Sequence, residues 1–156
     1  MFILIMHMFA HANGDQCSYS YGLWNVHDKK ISRWVSVRKS RSQLLPNEIG
    51  DFGCTPCSED QIDVKLINGI TFSACRHIAR QLEDLLNESI NMSIPIESVE
   101  GYRPTMTRGP IDPLGNRTVL SNHAFGAAID INRAHNGLYE NCIKVGPHCR
   151  LIQGGR

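Results

Sequence analysis

The 156-residue chain has no apolar run long enough to cross a membrane, since a spanning helix needs about 20 apolar residues. It also lacks a dominant charge. Lys and Arg number 16, Asp and Glu 15, and the formal net charge is +1. That balance gives no strong overall attraction for a polyanion. Basic residues are dense over residues 29–41, but no basic arm runs through the chain, so nucleic-acid binding is not expected. The signature of disorder is missing as well. With 42% hydrophobic and 20% charged residues, the composition is that of an ordinary globular protein. The length suffices for one domain with its own core.

The first twelve residues, MFILIMHMFAHA, contain no Asp, Glu, Lys or Arg and end in Ala10-His11-Ala12. They read as a secretory signal peptide cut before Asn13. Six cysteines follow: Cys17, Cys54, Cys57, Cys75, Cys142 and Cys149. An even number behind an export signal predicts disulfides, with about fifteen pairings open for six cysteines. A local Cys142–Cys149 bridge is favoured, and Cys75 is expected to tie its segment to another, such as the loop of Cys54 and Cys57. That C-x-x-C would suggest redox chemistry or zinc ligation in a reducing compartment. Behind an export signal it is read as structural, with cysteine-bound metal the weaker alternative. Asn87, Asn91 and Asn116 each begin a glycosylation acceptor pattern.

Residues 13–30 are polar and read as turns. Residues 31–37, ISRWVSV, alternate apolar with polar and predict a strand. Residues 44–57 are loop-like. Residues 64–72 read as extended chain broken by the hairpin signal Asn68-Gly69. The clearest helix is expected over residues 73–90, capped by Ser73. Its apolar stripe would be Cys75, Ile78, Ala79, Leu82, Leu85 and Leu86. A strand is expected over residues 92–102, and a long mobile loop over residues 105–118.

Residues 121–132, SNHAFGAAIDIN, organise the rest. From Ala127 to Asn132 the pattern is that of a half-buried strand. Asp130 falls inside this run, where an unpaired charge is costly, so a cation or a metal partner is expected. His123, on the adjoining turn, is a natural co-ligand. His77 and His135 are expected at the surface. The pair therefore reads as two ligands of a zinc site.

Together with GYRP at residues 101–104, this stretch resembles the M15 zinc peptidases. These include D-alanyl-D-alanine carboxypeptidases and L-alanyl-D-glutamate endopeptidases of peptidoglycan. The family pattern S-x-H-x-x-G-x-A-x-D is matched at Ser121, His123, Gly126, Ala128 and Asp130. The resemblance covers the final third of the chain. It implies that His123 and Asp130 bind zinc, and that Arg103 binds a substrate carboxylate or polarises the scissile carbonyl. It also implies that Ser121 supports the substrate or the His123 loop. Members of the family take a third ligand and a general base from a later Glu-x-x-His motif, which this sequence lacks. After Asp130 its histidines are His135 and His148 and its acid is Glu140; none matches the family's closing strand. The chain is then either truncated at its C-terminus or a degenerate relative. The signalling domain of hedgehog proteins is similar in fold and site.

The expected fold is α+β. A small antiparallel sheet carries the site, a helix packs on one face, and the loop-rich chain is disulfide-stabilised. The expected division is a signal peptide over residues 1–12, a cysteine-containing extension over residues 13–72 and an M15-like core over residues 73–156. The expected function is zinc-dependent hydrolysis of peptidoglycan stem peptides, as a D,D-carboxypeptidase or L,D-endopeptidase, in a secreted, periplasmic or wall-associated protein. The alternative is a non-catalytic zinc-binding or signalling module, or an inactive fragment.

Overall fold

The computed structural model describes residues 14–136, together with the backbone of Leu138–Glu140 and Arg150–Gln153. The expected signal peptide, the Cys142–Cys149 bridge, His148 and the side chain of Glu140 lie outside the described residues.

The fold is α+β, as expected. Strands β1 (Gln16–Asn25) and β2 (Lys30–Ser40) form a long antiparallel hairpin. Strands β3 (Gln61–Lys65) and β4 (Thr71–Cys75) form a second, turned at Asn68-Gly69 with Gly69 at φ 89°. Helix α1 (Ala79–Asn91) follows. Next come β5 (Val99–Glu100), β6 (Thr105–Ile111), β7 (Arg117–Leu120) and β8 (Asp130–Ile131). Strands β9 (Leu138–Glu140) and β10 (Arg150–Gln153) pair with each other. The largest sheet has the order β2-β1-β6-β7. It is mixed rather than antiparallel throughout, because β6 runs parallel to β1.

Apolar periodicity explains the main packing. Ala79 and Leu86 on α1 are buried against Val64, Leu66, Phe72 and Ala74 of the β3–β4 hairpin and against Ile96 and Val99, with Leu82 and Ile90 at the margin. The helix thus covers one face of that hairpin. Leu85, expected in the stripe, is 58% exposed.

Four further expectations change. The helix begins at Ala79, not Ser73. Ser73 lies in β4, where it pairs with Asp63 and donates its hydroxyl hydrogen to that carboxylate at 2.6 Å. Long-range pairing has overridden a helical spacing that continued only by coincidence through Cys75 and Ile78. Within the polar stretch, Gln16–Asn25 form β1 rather than turns, with Cys17 and Tyr19 buried and Ser18 and Ser20 alternating with them. Residues 105–118 are a bulged hairpin, not a mobile loop. Gly109 at φ 76° accommodates the irregular register, and Asp112 closes the tip by accepting from the backbone N–H groups of Leu114 and Asn116. Finally, the strands predicted over residues 92–102 and from residue 127 shrink to the two-residue pair β5–β8.

Two disulfides form among the described residues, Cys17–Cys57 and Cys54–Cys75. Cys54 and Cys57 are therefore not joined to each other, and neither is a thiolate free to bind metal. Such bridges belong to a protein that matures in an oxidising compartment. Among the described residues, no helix is long and apolar enough to cross a membrane. The buried Asp60 fastens the same region. It takes two hydrogen bonds from Arg41, both 2.7 Å, and one from Thr55, with Arg76 at 3.6 Å. Burial pushes the Asp60 carboxyl up, but Arg41 and Thr55 more than offset it and hold it below the usual range. Strand β4 runs without interruption through residues 72 and 73, where the expected extension and core meet.

Candidate metal centre

The short pair β5–β8 and one 3-10 turn assemble the site. Ser121 precedes the turn Asn122–Phe125, which ends at Gly126 with φ 63°. Inside the turn, Ala124 and Phe125 are buried and pack with Leu120 and the Cys54–Cys75 bridge. This anchors one side of the turn and leaves His123 half-buried on the other. The register of β8 on β5 sets Asp130 opposite Glu100. Asn132, at φ 50°, terminates β8 and accepts from the backbone N–H groups of Glu97 and Ser98.

His123 and Asp130 meet. Nε2 of His123 lies 3.4 Å from Oδ1 of Asp130. On the far side of the ring, Nδ1 lies 3.0 Å from the carbonyl oxygen of Gly101. A carbonyl oxygen only accepts, so Nδ1 carries a proton and Nε2 is the nitrogen turned toward the carboxylate. Two acceptors facing each other call for a cation between them, either the second proton of an imidazolium or a metal ion. The spacing suits a metal. Two ligands about 2.0–2.1 Å from a tetrahedral zinc stand about 3.3 Å apart. The carbonyl behind the imidazole is the usual support for a metal-ligating histidine. The donor set therefore fits two of the four positions a zinc site uses. Among the described residues, no third His, Cys, Asp or Glu completes a metal-binding group.

Arg103 is brought to the same place. Its backbone N–H donates to the carbonyl of His123 at 3.0 Å, and its guanidinium pairs with Asp130 and with Glu100. Arg133 also reaches Glu100, at 3.0 Å. Arg103 thus holds the carboxylate oxygen that His123 does not face, and stays 36% exposed. Asp130 is less buried than its apolar surroundings predict, with a side-chain exposure of 34%.

Ser121 is buried, and its hydroxyl has no hydrogen-bond partner among the described residues. Its backbone joins β6 to the turn by donating to Thr105 and accepting from Ala124. Tyr102 donates its phenolic hydrogen to the carbonyl of Pro56 at 2.7 Å, and burial pushes its hydroxyl up to about 12. His77 is exposed, as expected. His135 is exposed too and sits 3.5 Å from Glu97, away from the pair.

Three contributors escaped the sequence. Glu100 gives no signal beyond being the residue before GYRP. The Gly101 carbonyl is a backbone group, visible only once β5 is placed beside the turn. Gln61 contributes from a hairpin distant in sequence: a Cβ at Gly126 would meet its Oε1 at 2.1 Å and the Cys75 nitrogen at 2.5 Å. Gly126 in turn accepts the backbone N–H of Cys75 at 3.0 Å. The glycine in the motif is thus required both by its left-handed φ and by this close approach. No protein-family model, curated protein or solved structure matches this chain.

Proposed function

We propose that this protein is a zinc-dependent peptidase of the M15 type, acting on peptidoglycan stem peptides as a D,D-carboxypeptidase or L,D-endopeptidase in the periplasm or cell wall. The observation that carries the reading is the pairing of His123 Nε2 with Asp130 Oδ1 at 3.4 Å, with the ring fixed from behind by Gly101. His123 and Asp130 would hold the zinc, which supplies Lewis acidity for amide hydrolysis. Arg103 orients Asp130 through its second oxygen, and its exposed guanidinium edge offers donors for a substrate carboxylate or carbonyl. Ser121 fixes the start of the His123 turn.

A second reading, a non-catalytic zinc-binding module, draws support from the engagement of Arg103 by two carboxylates, Glu100 and Asp130. One experiment separates the two. The purified protein is loaded with zinc, its metal content is measured, and it is incubated with muropeptide pentapeptides. The peptidase reading expects one zinc per chain, loss of D-alanine or cleavage of the stem, and loss of both metal and turnover in His123→Ala and Asp130→Ala. Stoichiometric zinc without cleavage supports the binding module. Full zinc retention by either variant removes the site assignment.

A further inference from the structure

The near-neutral net charge conceals a segregation. Six of the 16 basic residues and none of the 15 acidic ones fall in residues 29–41, so that segment carries +6 and the remainder of the chain −5. The structure makes this segment β2 and its flanking turns, at the edge of the four-stranded sheet. Lys39 and Arg41 are paired with the buried carboxylates of Glu48 and Asp60. Among the described residues, no carboxylate lies within ion-pair distance of Lys29, Lys30, Arg33 or Arg38.

The register defines what accompanies these charges. Directly opposed residues of an antiparallel pair share a face. Cys17, Tyr19 and Tyr21 turn inward to the core. The outer face then carries the pairs Trp24 with Ile31, Gly22 with Trp34, Ser20 with Ser36 and Ser18 with Arg38. Both tryptophans of the chain therefore lie on one face. Trp34 is 61% exposed. Beside it, the methyl groups of Ile31 fill the space over Gly22, making a low apolar floor next to the indole. Beyond it, the hydroxyls of Ser20 and Ser36 are 2.8 Å apart, and Arg38 follows. Basic residues on an edge strand deter edge-to-edge pairing, but that purpose does not account for an exposed indole, which invites contact.

We infer that the outer face of the β1–β2 hairpin binds an anionic polysaccharide. The flat C–H face of a pyranose stacks on an indole, whose ring is apolar and whose N–H is a donor. Sugar hydroxyls match the serine row, and carboxylate or sulfate groups match Arg38, the cation in the row of the indole. Lys30 and Arg33 oppose Asn25 and Leu23 and so lie on the other face of the edge strand. A single cation beside an exposed indole suits a polymer whose charges are separated by uncharged sugar, not duplex nucleic acid with one charge per about 1.7 Å. This surface contains no residue of the His123–Asp130 site and does not depend on the peptidase reading.

The test is a titration of the intact protein with hyaluronate, heparin, neutral dextran and duplex DNA at physiological salt, followed by tryptophan emission. Binding to hyaluronate or heparin with a change in emission is expected, and none to dextran. Trp34→Ala leaves the charge unchanged and is expected to weaken binding at least tenfold, while Trp34→Tyr retains most of it. Arg38→Ser is expected to weaken binding at least tenfold as well. Far-ultraviolet circular dichroism checks that each variant is folded. The inference is overturned by failure to bind both anionic polysaccharides, by binding that Trp34→Ala leaves intact, or by tighter binding to DNA.

Discussion

Glu100 and Asp130 stand directly opposite each other across β5 and β8, and the guanidinium of Arg103 bridges them. Like charges in facing positions of an antiparallel pair repel, so the two-residue ladder that presents Asp130 to His123 depends on a cation between its carboxylates. Removing Arg103 therefore does more than remove a candidate substrate contact. Arg103→Ala is expected to destabilise the fold by about 1 kcal/mol, a figure kept small because all three side chains are at least one-third exposed to solvent screening. Adding Glu100→Gln in that background should recover most of the loss, as read from thermal unfolding in a double-mutant cycle. Arg103→Lys should recover less, because an ammonium cannot span both carboxylates as a planar fork does. Additive effects of Arg103→Ala and Glu100→Gln would contradict the bridging role.

Gly126→Ala meets two obstacles at once, a left-handed backbone and contact with Gln61 and the Cys75 nitrogen. The backbone part alone costs about 1–2 kcal/mol, and overpacking adds about 1–3 kcal/mol. Chemical denaturation should show a loss of at least about 2 kcal/mol. Pairing it with Gln61→Ala should restore only part, since the Cys75 backbone remains in place.

The two bridges close loops with sequence separations of 40 for Cys17–Cys57 and 21 for Cys54–Cys75. Loop-closure entropy assigns each about 3–4 kcal/mol. Replacing Cys54 and Cys75 together by serine should also loosen the His123 turn, because Leu120, Ala124 and Phe125 pack on that bridge. Hydrogen exchange of the backbone amides at positions 75 and 126 would register this. Unchanged protection at both would show that the turn stands without the bridge.

Acid stability should track Asp60. Its folded-state carboxyl lies below its ordinary value of 3.8. The stabilisation it gives is therefore complete above that value and is lost as the pH falls through the lower folded one. Asp60→Asn is expected to be less stable than the native protein by a constant amount from pH 5 to 8, about 2 kcal/mol. The difference should then shrink below pH 4. A gap that widened on acidification would reverse the assigned sign.

Much of the framework was legible in the sequence because it rests on local rules. The alternation of residues 31–37, the Asn68-Gly69 turn and the stripe of Ala79, Leu82 and Leu86 each led to the observed element. So did the conjunction of His123 with Asp130. What escaped depended on partners far away in the chain. Cys75 looked helical by spacing, but pairing with Gln61 and bonding to Cys54 hold it extended. Strand β1 looked like turns because its outward serines masked an inward Cys17 and Tyr19. The support behind His123 is a main-chain carbonyl, which no side-chain pattern announces. Residues 105–118 carry the glycine and proline of a loop, yet a bulge at Gly109 and the Asp112 contacts turn that composition into a hairpin.

The clasp around Gly126 has a consequence for how such a chain can change over generations. Gln61 and Cys75 meet the glycine of a motif that begins some sixty residues downstream of Gln61, and β4 passes unbroken through residues 72 and 73. A recombination crossover at that point would exchange half a strand and one end of a disulfide, and would leave Gly126 facing a surface that had not been shaped to it. Such a crossover is therefore expected to yield a poorly folded product, and variation at Gln61 and Cys75 is constrained by the turn that ends at Gly126.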